Sequence, residues 1–557
     1  MAKQNLVRKH DFLRDKSIFI SLGPIYSPIY YKYIFSILTN ALMQGSTIIV
    51  ADCNWDFQVR SFVDNSSEAI SSRGKLRHDF LKLILEIGQD SVIIESIPNN
   101  FHSSKEFHHT DIQNLFDADR ESLQLGNSIR SFFARNYFGS SNFQIKSRKE
   151  VKQFNILVAS YFYSKKLSKS FFDKYHFNTI LVGNGRFPDQ TAMKVFASEN
   201  NVDFLSYEQG RPPESSYFLQ NFQFQEFGKM QAYLLQIKEE LITRPDALRN
   251  AMEIGQNWLR NQSEDTQQNS YLANLDVSSR KGDHDLKDDR KLAVIFNSSI
   301  DERFSNLGHE LNSWASQKEA TVTISEELLL QEFNVVVRIH PNTANKSWWD
   351  LVNLVGALKA KSISYILPWD EPNSYELLNQ ADLVLTWGST ISMESCALGI
   401  PTVVFGSTFW DQLTGATFLS GRNSQCFDFQ GVTRPNPGDA YLSAFLVNNW
   451  GYSIFDYTPS EQLELLDSVL VNNGIENFNL LTSSGRLLNP TNLVGFGTYA
   501  INFLRRARRG RYASPSDLLG LFMIFLPKRM SKHLVTSILN ILVAFSNLVN
   551  DGEESLQ

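Results

Sequence analysis

The sequence is poor in cysteine, and this limits how the protein can be cross-linked or bind metal. Only 3 cysteines occur among 557 residues, at Cys53, Cys396 and Cys426. They are far apart in sequence and show no metal-ligand spacing, and so small a number does not indicate a disulfide framework. The scarcity argues against a disulfide-stabilised secreted scaffold and is typical of a protein that works in a reducing compartment.

Long apolar runs and an excess of positive charge are missing as well. No window reaches the roughly 18 uninterrupted apolar residues that predict a transmembrane helix, and residues 1–12 lack the apolar centre of a signal peptide. The 53 Lys and Arg residues against 59 Asp and Glu give a net charge of −6, which argues against nucleic-acid binding by the whole molecule. We therefore predict a cytoplasmic globular protein with no nucleic-acid partner.

The sequence contains two series of alternating strand and helix patterns. A strand, a loop, a helix, a glycine and a second strand follow one another over residues 17–52, which is the pattern of a βαβ unit in a parallel sheet. Further strands of this first series are predicted at residues 92–96, 154–161, 178–186 and 202–210. The second series predicts strands at residues 291–297, 334–340, 362–367, 381–387 and 401–406.

These two series predict an α/β fold with two Rossmann-like, doubly wound domains that face a cleft. Residues 1–260 would form an N-terminal acceptor domain and residues 291–485 a C-terminal nucleotide-sugar domain. Residues 261–290 are polar and poor in large apolar side chains, so we predict a linker or insertion there. Residues 486–557 would form a C-terminal helical tail.

The predicted tail combines basic and apolar segments. An arginine-rich stretch at residues 505–511 precedes an apolar run at residues 518–527 that is too short to span a bilayer. Such a combination can lie against anionic lipid, and residues 505–533 would then make a peripheral membrane contact. The alternative is a pair of terminal helices packed on the domain, with the arginines in water.

A glycine–serine–threonine turn lies in the second series. A predicted strand ends before Gly388, and Ser389 and Thr390 stand where the next helix begins. The start of a helix presents free backbone N–H groups, which favours a phosphate, and Glu394 lies one turn further on, within reach of a ribose. The alternative is an ordinary βα turn with ordinary capping.

A second polar group follows another strand of the same series. Arg338, His340 and Pro341 stand at its end. Because parallel strands place their carboxyl ends at one edge of the sheet, these residues and the Gly388–Thr390 turn would share a rim. His340 could then donate to a phosphate oxygen and Arg338 could pair with a phosphate or a carboxylate. The alternative is that His340 bonds a backbone carbonyl and Arg338 pairs with Asp or Glu.

The first series offers a carboxylate at a strand end. Glu208 stands two residues before Gly210, where it can project into the cleft and take a proton from a hydroxyl nucleophile. The alternative is a turn carboxylate in water. Arg186, at the end of a Gly-Asn-Gly-Arg sequence, is a weaker candidate for the same cleft.

In their order, these motifs resemble those of GT-B glycosyltransferases, and more closely those of bacterial capsular-polysaccharide enzymes such as Kdo transferases and polysialyltransferases. Those families carry an acidic-acidic-Gly motif, a His-Pro motif and a Ser-Ser or Ser-Thr motif. The corresponding residues here are Glu208-Gln209-Gly210, His340-Pro341 and Ser389-Thr390. The resemblance covers residues 178–406, and Gln209 departs from the second acid of the motif.

The resemblance implies a function and a role for each residue. The protein would move a sugar from a nucleotide-activated donor, such as a CMP-sugar, to a growing surface or capsular polysaccharide. A membrane contact through residues 505–533 would place it at the inner face of the membrane. Glu208 would activate the acceptor and His340 would hold the donor phosphate. Ser389 and Thr390 would support that phosphate, and Glu394 would face the ribose. Neither a cofactor nor a metal is implied, because the helix start and His340 can stabilise the leaving charge. The oligomeric state is not predicted.

Three other functions remain open. A non-hydrolysing nucleotide-sugar 2-epimerase has the same two-domain architecture and would need further acids and a histidine, for which His108, His109 and Asp111 are candidates. A transferase of CDP-activated polyol phosphate would keep His340 and add a basic acceptor channel. A non-catalytic polysaccharide assembly protein would need neither His340 nor an acceptor channel.

Overall fold

The computed structural model describes most of both predicted domains. The described residues are 13–22, 28–53, 67–97, 124–129, 148–183, 185, 187–209, 216–221, 226–264, 290–298, 314, 316–341, 343, 348–368, 374–406, 408–410, 412–419, 426–449 and 459–473. The predicted tail at residues 486–557 and most of the predicted linker lie outside them.

The first half of the chain forms a six-stranded sheet. Its strands are β1 (Ser17–Leu22), β2 (Thr47–Cys53), β3 (Val92–Ile97), β4 (Thr179–Val182), β5 (Asp203–Gln209) and β6 (Ser216–Gln220). Its helices are α1 (Pro28–Met43), α2 (Ser67–Gly88), α3 (Arg148–Tyr175) and α4 (Pro188–Glu199), and residues 124–129 are also helical. The strand order is β3-β2-β1-β4-β5-β6, with all pairs parallel except β6, which runs antiparallel to β5.

One predicted strand of this half is wrong. Residues 154–161 belong to the helix α3. The buried residues Phe154, Leu157, Val158 and Tyr161 recur at intervals of three and four, which places them on one face of a helix. A short apolar run does not by itself distinguish a strand from a buried helix, and here the period of 3.6 residues decides it.

The second half repeats the arrangement, and all five predicted strands are confirmed. They are β7 (Leu292–Phe296), β8 (Asn334–Arg338), β9 (Ser364–Ile366), β10 (Leu383–Thr386) and β11 (Thr402–Val404), and a sixth, β12 (Thr417–Phe418), extends the sheet. The order is β12-β11-β10-β7-β8-β9, and every pair is parallel.

The two sheets have the same topology when strands are counted from β1 and from β7. In each sheet the chain winds first to one side of its first strand and then to the other. The order therefore reverses between β1 and β4 and between β7 and β10. This is the Rossmann strand order, and the predicted α/β class with two Rossmann-like domains is confirmed.

Helices at both ends of the second half link the two parts of the chain. The described helices from residue 227 onward are α5 (Phe227–Ile242), α6 (Pro245–Glu264), α7 (Gln317–Leu330), α8 (Trp348–Ala360), α9 (Ser374–Gln380), α10 (Ile391–Ala397), α11 (Pro437–Asn449) and α12 (Ser460–Asn472). Helices α5 and α6 pack on α10 and α11, whereas α12 returns to pack on α1 and α2 of the first sheet. The domain boundaries predicted at residues 260, 290 and 485 stay predictions.

Within the described ranges, no helix combines the length and the apolar character that a bilayer crossing requires. The predicted membrane contact of residues 505–533 falls outside those ranges and stays a prediction.

Candidate functional site

The structure brings the two polar motifs of the second half to one edge of one sheet. Phe296, the last residue of β7, pairs with Arg338 of β8 on one side and with Thr386 of β10 on the other. His340 follows β8, and the Gly388–Thr390 turn follows β10, so both leave the carboxyl edge and are separated by the one strand β7. Because the strand order reverses between β7 and β10, this edge carries the crevice where open α/β sheets bind ligands.

The Gly388–Thr390 turn has the backbone that its sequence predicts. Gly388 has φ +66°, in the left-handed region that favours glycine. The Oγ atom of Ser389 accepts a hydrogen bond from the Ile391 N–H at 3.3 Å. Thr390, the N-cap residue just before the helix α10, makes no side-chain capping bond. Of the two hydroxyls predicted at the helix start, Ser389 therefore provides the capping.

Helix α10 is short, and polar contacts with residues that follow it in the chain hold it in place. The Nε1–H of Trp410 donates to Ser392 Oγ at 3.2 Å, and Thr402 Oγ1 donates to Ser395 Oγ at 2.8 Å. Burial raises the pKa of the Cys396 thiol to about 12, against the lowering effect of its hydrogen-bonding neighbours. That thiol therefore stays protonated, and it helps to pack the helix rather than acting as a nucleophile. These contacts fix the position of the Gly388–Thr390 turn.

Two charged side chains lie buried below this edge. Arg338 is 5% exposed and Glu394, on α10, is 7% exposed. The Nη1 of Arg338 donates to the carbonyl oxygen of Leu367, just beyond β9. This backbone contact was not among the partners predicted for Arg338, which were a phosphate or a carboxylate. The predicted donor-binding roles of Arg338 and Glu394 stay predictions.

His340 lies in a turn rather than in the strand. The strand β8 ends at Arg338, and the His340 carbonyl oxygen accepts a hydrogen bond from Thr343 N at 2.9 Å. The His340 side chain is half-buried, and Pro341 follows it in the same turn. The residue therefore stands at the rim where the sequence predicts it, and its phosphate-binding role stays a prediction.

In the first sheet, Glu208 stands near the end of β5, where it is half-buried and pairs with Tyr217 of β6. Burial raises the pKa of the neighbouring Tyr207 phenol far above its ordinary value, and the charges of Glu208 and Asp189 raise it further. Two carboxylates therefore lie close enough to Tyr207 to raise the pKa of its hydroxyl. Asp189 belongs to the first turn of α4 and was not predicted from sequence.

The loop after β4 is tied to α4 by two side chains. The Gly185 N–H donates to Gln190 Oε1 at 3.0 Å, and Thr191 Oγ1 donates to the Gly185 carbonyl oxygen at 3.1 Å. Gly185 has φ +76°, which again requires glycine. The remaining predicted cleft residues, Arg186 and Gly210, lie outside the described residues, so their roles stay predictions.

The structure adds Asn297 to this edge, a residue that sequence reasoning treated only as the end of a strand. It follows β7 directly and is 2% exposed. Its Oδ1 accepts a hydrogen bond from Thr321 Oγ1 at 3.1 Å, while its Nδ2 is buried and has no partner within the described ranges. The sequence signal was an amide at the end of the central strand, which is indistinguishable from an ordinary turn residue.

The described residues contain no cluster of three or more His, Cys, Asp or Glu side chains that could hold a metal ion. The sequence has Asp-x-Asp triplets at residues 117–119 and 283–285, which are a common way to bind a divalent ion, and both lie outside the described residues. Metal independence stays a prediction.

No family profile and no curated protein sequence matches this chain. Among solved structures, the β-Kdo 2,7-transferase KpsC of Thermosulfurimonas dismutans matches with 13% identity, 63% of this chain, 97% of that chain and a TM-score of 0.29. The UDP-GlcNAc 2-epimerase of Neisseria meningitidis matches with 11% identity, 83% of this chain, 100% of that chain and a TM-score of 0.24. A glycosyltransferase of Rickettsia africae matches with 11% identity, 82% of this chain, 99% of that chain and a TM-score of 0.21.

The three structures belong to two of the classes that the sequence left open, transferases and epimerases. Kdo transferases are also among the enzymes that the motifs of this chain resemble. All three TM-scores lie far below 0.5, so these likenesses carry no argument about activity. The assignment of two Rossmann-like domains rests on the strand orders described above.

Proposed function

We propose that the protein is a glycosyltransferase that moves a sugar from a nucleotide-activated donor to a growing surface or capsular polysaccharide. The observation that supports this most is the placement of His340 and the Gly388–Thr390 turn on either side of β7, at the crevice where the strand order reverses. These two motifs are separated by about fifty residues in sequence, and folding brings them to one rim.

The chemistry of the transfer suits groups of these types. An acceptor hydroxyl attacks the anomeric carbon, the bond from that carbon to the phosphate oxygen breaks, and the nucleotide leaves with negative charge. In our proposal His340 donates to that phosphate, Ser389 and Thr390 support it, and preorganised donors of this kind stabilise charge without reorganisation. Glu208 takes the proton of the acceptor hydroxyl.

The proposed donor class is based on the sequence resemblance, and the proposed cellular location is based on the composition and on the segment 505–533. Kdo transferases and polysialyltransferases suggest a CMP-sugar, although Gln209 stands where a second acid can occur. We further propose a metal-independent reaction in the cytoplasm, at the inner face of the membrane, with the segment 505–533 in contact with anionic lipid.

A thermal-shift panel of CMP, CDP, UDP, GDP and dTDP on the full chain tests the proposal. A ligand present at about 100 times its Kd stabilises the state that binds it by roughly 2.7 kcal/mol. We expect CMP to raise the unfolding temperature, and His340→Ala to remove most of that rise. A shift with a nucleoside diphosphate would instead indicate a hexose donor or, for CDP, a polyol phosphate.

Two further outcomes separate the other functions. If no nucleotide shifts the unfolding temperature, the enzyme proposal fails and an assembly role remains. If the nucleotide sugar is converted to its epimer without an acceptor, the protein is an epimerase, because a transferase acting on the donor alone can only release the sugar to water.

A further inference from the structure

Asn297 occupies the centre of the ligand-binding edge. Its backbone N–H donates to the Arg338 carbonyl oxygen at 3.1 Å, and the carbonyl oxygen of the preceding Phe296 accepts from Trp387 N–H at 3.1 Å. Asn297 therefore lies between the strand that leads to His340 and the strand that leads to the Gly388–Thr390 turn.

The helix α7 fixes the orientation of the Asn297 side chain. Thr321, which is fully buried in α7, donates its hydroxyl to Asn297 Oδ1 at 3.1 Å. The next residue, Ser298, donates its N–H to Oε1 of Gln317 in the first turn of α7 at 3.2 Å. With the amide oxygen held by α7, the amide nitrogen is directed to another side, and its geometry is set before any ligand arrives.

Within the described part of the chain, the Asn297 Nδ2 atom is a buried, unsatisfied hydrogen-bond donor. It carries two N–H donors, is shielded from solvent, and has no hydrogen-bond partner among the residues that the structure describes. A buried donor without an acceptor costs about as much free energy as a lost hydrogen bond, so such groups are rare and call for a physical reason. An acceptor that arrives with a ligand removes this cost and turns it into binding selectivity for the ligand that carries the acceptor.

We propose that Asn297 Nδ2 donates a hydrogen bond to a phosphate oxygen of the donor nucleotide. This inference rests on the proposed function, since it uses the same crevice. A phosphate oxygen only accepts hydrogen bonds, which matches an amide arm that only donates. The neighbouring strand ends carry His340 and the Gly388–Thr390 turn, the groups assigned above to the same phosphate.

Titration calorimetry on the full chain tests this assignment. The probes are the nucleotide that binds in the thermal-shift panel and the matching nucleoside without phosphate, cytidine in the case of CMP. Asn297→Ala should weaken nucleotide binding by about 10- to 100-fold and leave the affinity for the nucleoside within about twofold. Asn297→Asp keeps the size and the bond from Thr321, but it replaces the donor by an acceptor and should weaken nucleotide binding further.

Two other variants provide a control and a second test. Asn448→Ala is the matched control, because Asn448 is also buried at 4% exposure and its Nδ2 already donates to Ala444 O at 2.7 Å. It should leave both affinities unchanged. Thr321→Val removes the bond that orients the amide without altering the amide, and it should selectively weaken nucleotide binding even if the Asn297 variants do not fold.

The assignment is wrong if folded Asn297→Ala binds the nucleotide within about twofold of wild type. If the Asn297 variants do not fold, the same result in Thr321→Val overturns it. Either result leaves the proposed function intact. An equal loss of nucleotide and nucleoside affinity would also overturn the assignment, since that result marks a structural role. If the wild-type chain binds no nucleotide of the panel, the proposed function itself fails and this assignment fails with it.

Discussion

Residues that titrate or donate hydrogen bonds gather at the carboxyl edges of both sheets. In the first sheet these residues are Glu208, Asp189 and Tyr207, whose phenol is affected by the charges of both carboxylates. The phenol stays protonated because burial and both carboxylates oppose its ionisation. Of these groups, the carboxylates and not the neutral tyrosine can therefore take up a proton.

Glu208→Gln is expected to abolish sugar transfer while nucleotide binding persists, because the amide keeps the shape of the side chain but cannot take a proton. The loss of a general base typically lowers the rate by about 100- to 10,000-fold. The measurement compares transfer rate and nucleotide Kd in the variant and in wild type. Unchanged transfer would show that another group is the base, and Asp189 would then be the next candidate.

Glu95→Gln is the matched control for that substitution. Glu95 lies in β3 of the same sheet, four strands from β5, which is roughly 19 Å. Hydrogen bonds from Lys174 at 2.8 Å and Tyr175 at 2.7 Å hold the pKa of Glu95 below its ordinary value. Its loss should affect stability slightly and transfer not at all.

At the residue scale, the sequence predicted the groups that stand out from their surroundings. His340 after a run of valines and the Gly388–Thr390 turn before a helix are visible as breaks in an apolar pattern. Asn297 and Asp189 were missed because an amide at a strand end and an acid in a first helical turn are common there. Their significance lies in burial and in neighbours from other elements, which a local pattern does not contain.

At the scale of elements, periodicity predicted five of the six strands in each sheet. It missed β6 and β12, and it wrongly predicted a strand at residues 154–161. The strands of the second sheet are short apolar runs between turn residues, and β7 is buried at every position, as expected for the centre of a parallel sheet. Residues 154–161 have a similar apolar content, and only the spacing of the buried positions identifies them as part of α3.

Helix–helix contact, by contrast, depends on small residues whose role no pattern of apolar residues reveals. Gly255 lies in α6 where that helix crosses α11. A Cβ atom at Gly255 would meet the Tyr441 carbonyl oxygen and lie 2.9 Å from Phe445 N. Backbone atoms cannot move aside as a flexible side chain can, so this position requires glycine for close approach.

Gly255→Ala is therefore expected to destabilise the protein by about 1–3 kcal/mol, as overpacking does, although alanine is the better helix former by about 1 kcal/mol. Gly228→Ala is the matched control. Gly228 lies in the adjoining helix α5, and a Cβ atom there meets nothing within 4 Å. Urea denaturation should show Gly228→Ala neutral or slightly stabilising, and equal effects of the two variants would contradict the packing argument.

At the scale of the whole molecule, the helices that pack beside each sheet do not all come from the half of the chain that forms that sheet. Helices α5 and α6 precede β7, yet their apolar faces pack on α10 and α11 beside the second sheet. Helix α12 follows the second sheet, yet its apolar face packs on α1 and α2 beside the first. Sequence patterns assign each helix to the series of strands nearest to it in the chain. The packing of these helices beside the other sheet was therefore not predicted.

The return of α12 makes the first sheet depend on residues that come after the second. Leu466 and Leu470 are fully buried in the core of the first sheet, and Asn473 Nδ2 donates to Asp79 Oδ2 of α2 at 3.0 Å. Leu466→Ala should cost about 2–5 kcal/mol, the range for truncation of a buried leucine. Leu465, the neighbouring residue, is 51% exposed, so Leu465→Ala should stay within about 0.5 kcal/mol of wild type.

Because the proposed nucleotide site belongs to the second sheet, the two substitutions also differ in what they leave intact. Denaturation is measured with and without the nucleotide that binds. The comparison distinguishes the unfolding transition whose midpoint the nucleotide raises from the transition whose midpoint it leaves unchanged. Leu466→Ala should lower the transition that the nucleotide leaves unchanged and preserve the nucleotide Kd. If Leu466→Ala instead lowers the ligand-sensitive transition, then α12 stabilises the second sheet, and the packing of α12 on α1 and α2 does not persist in solution.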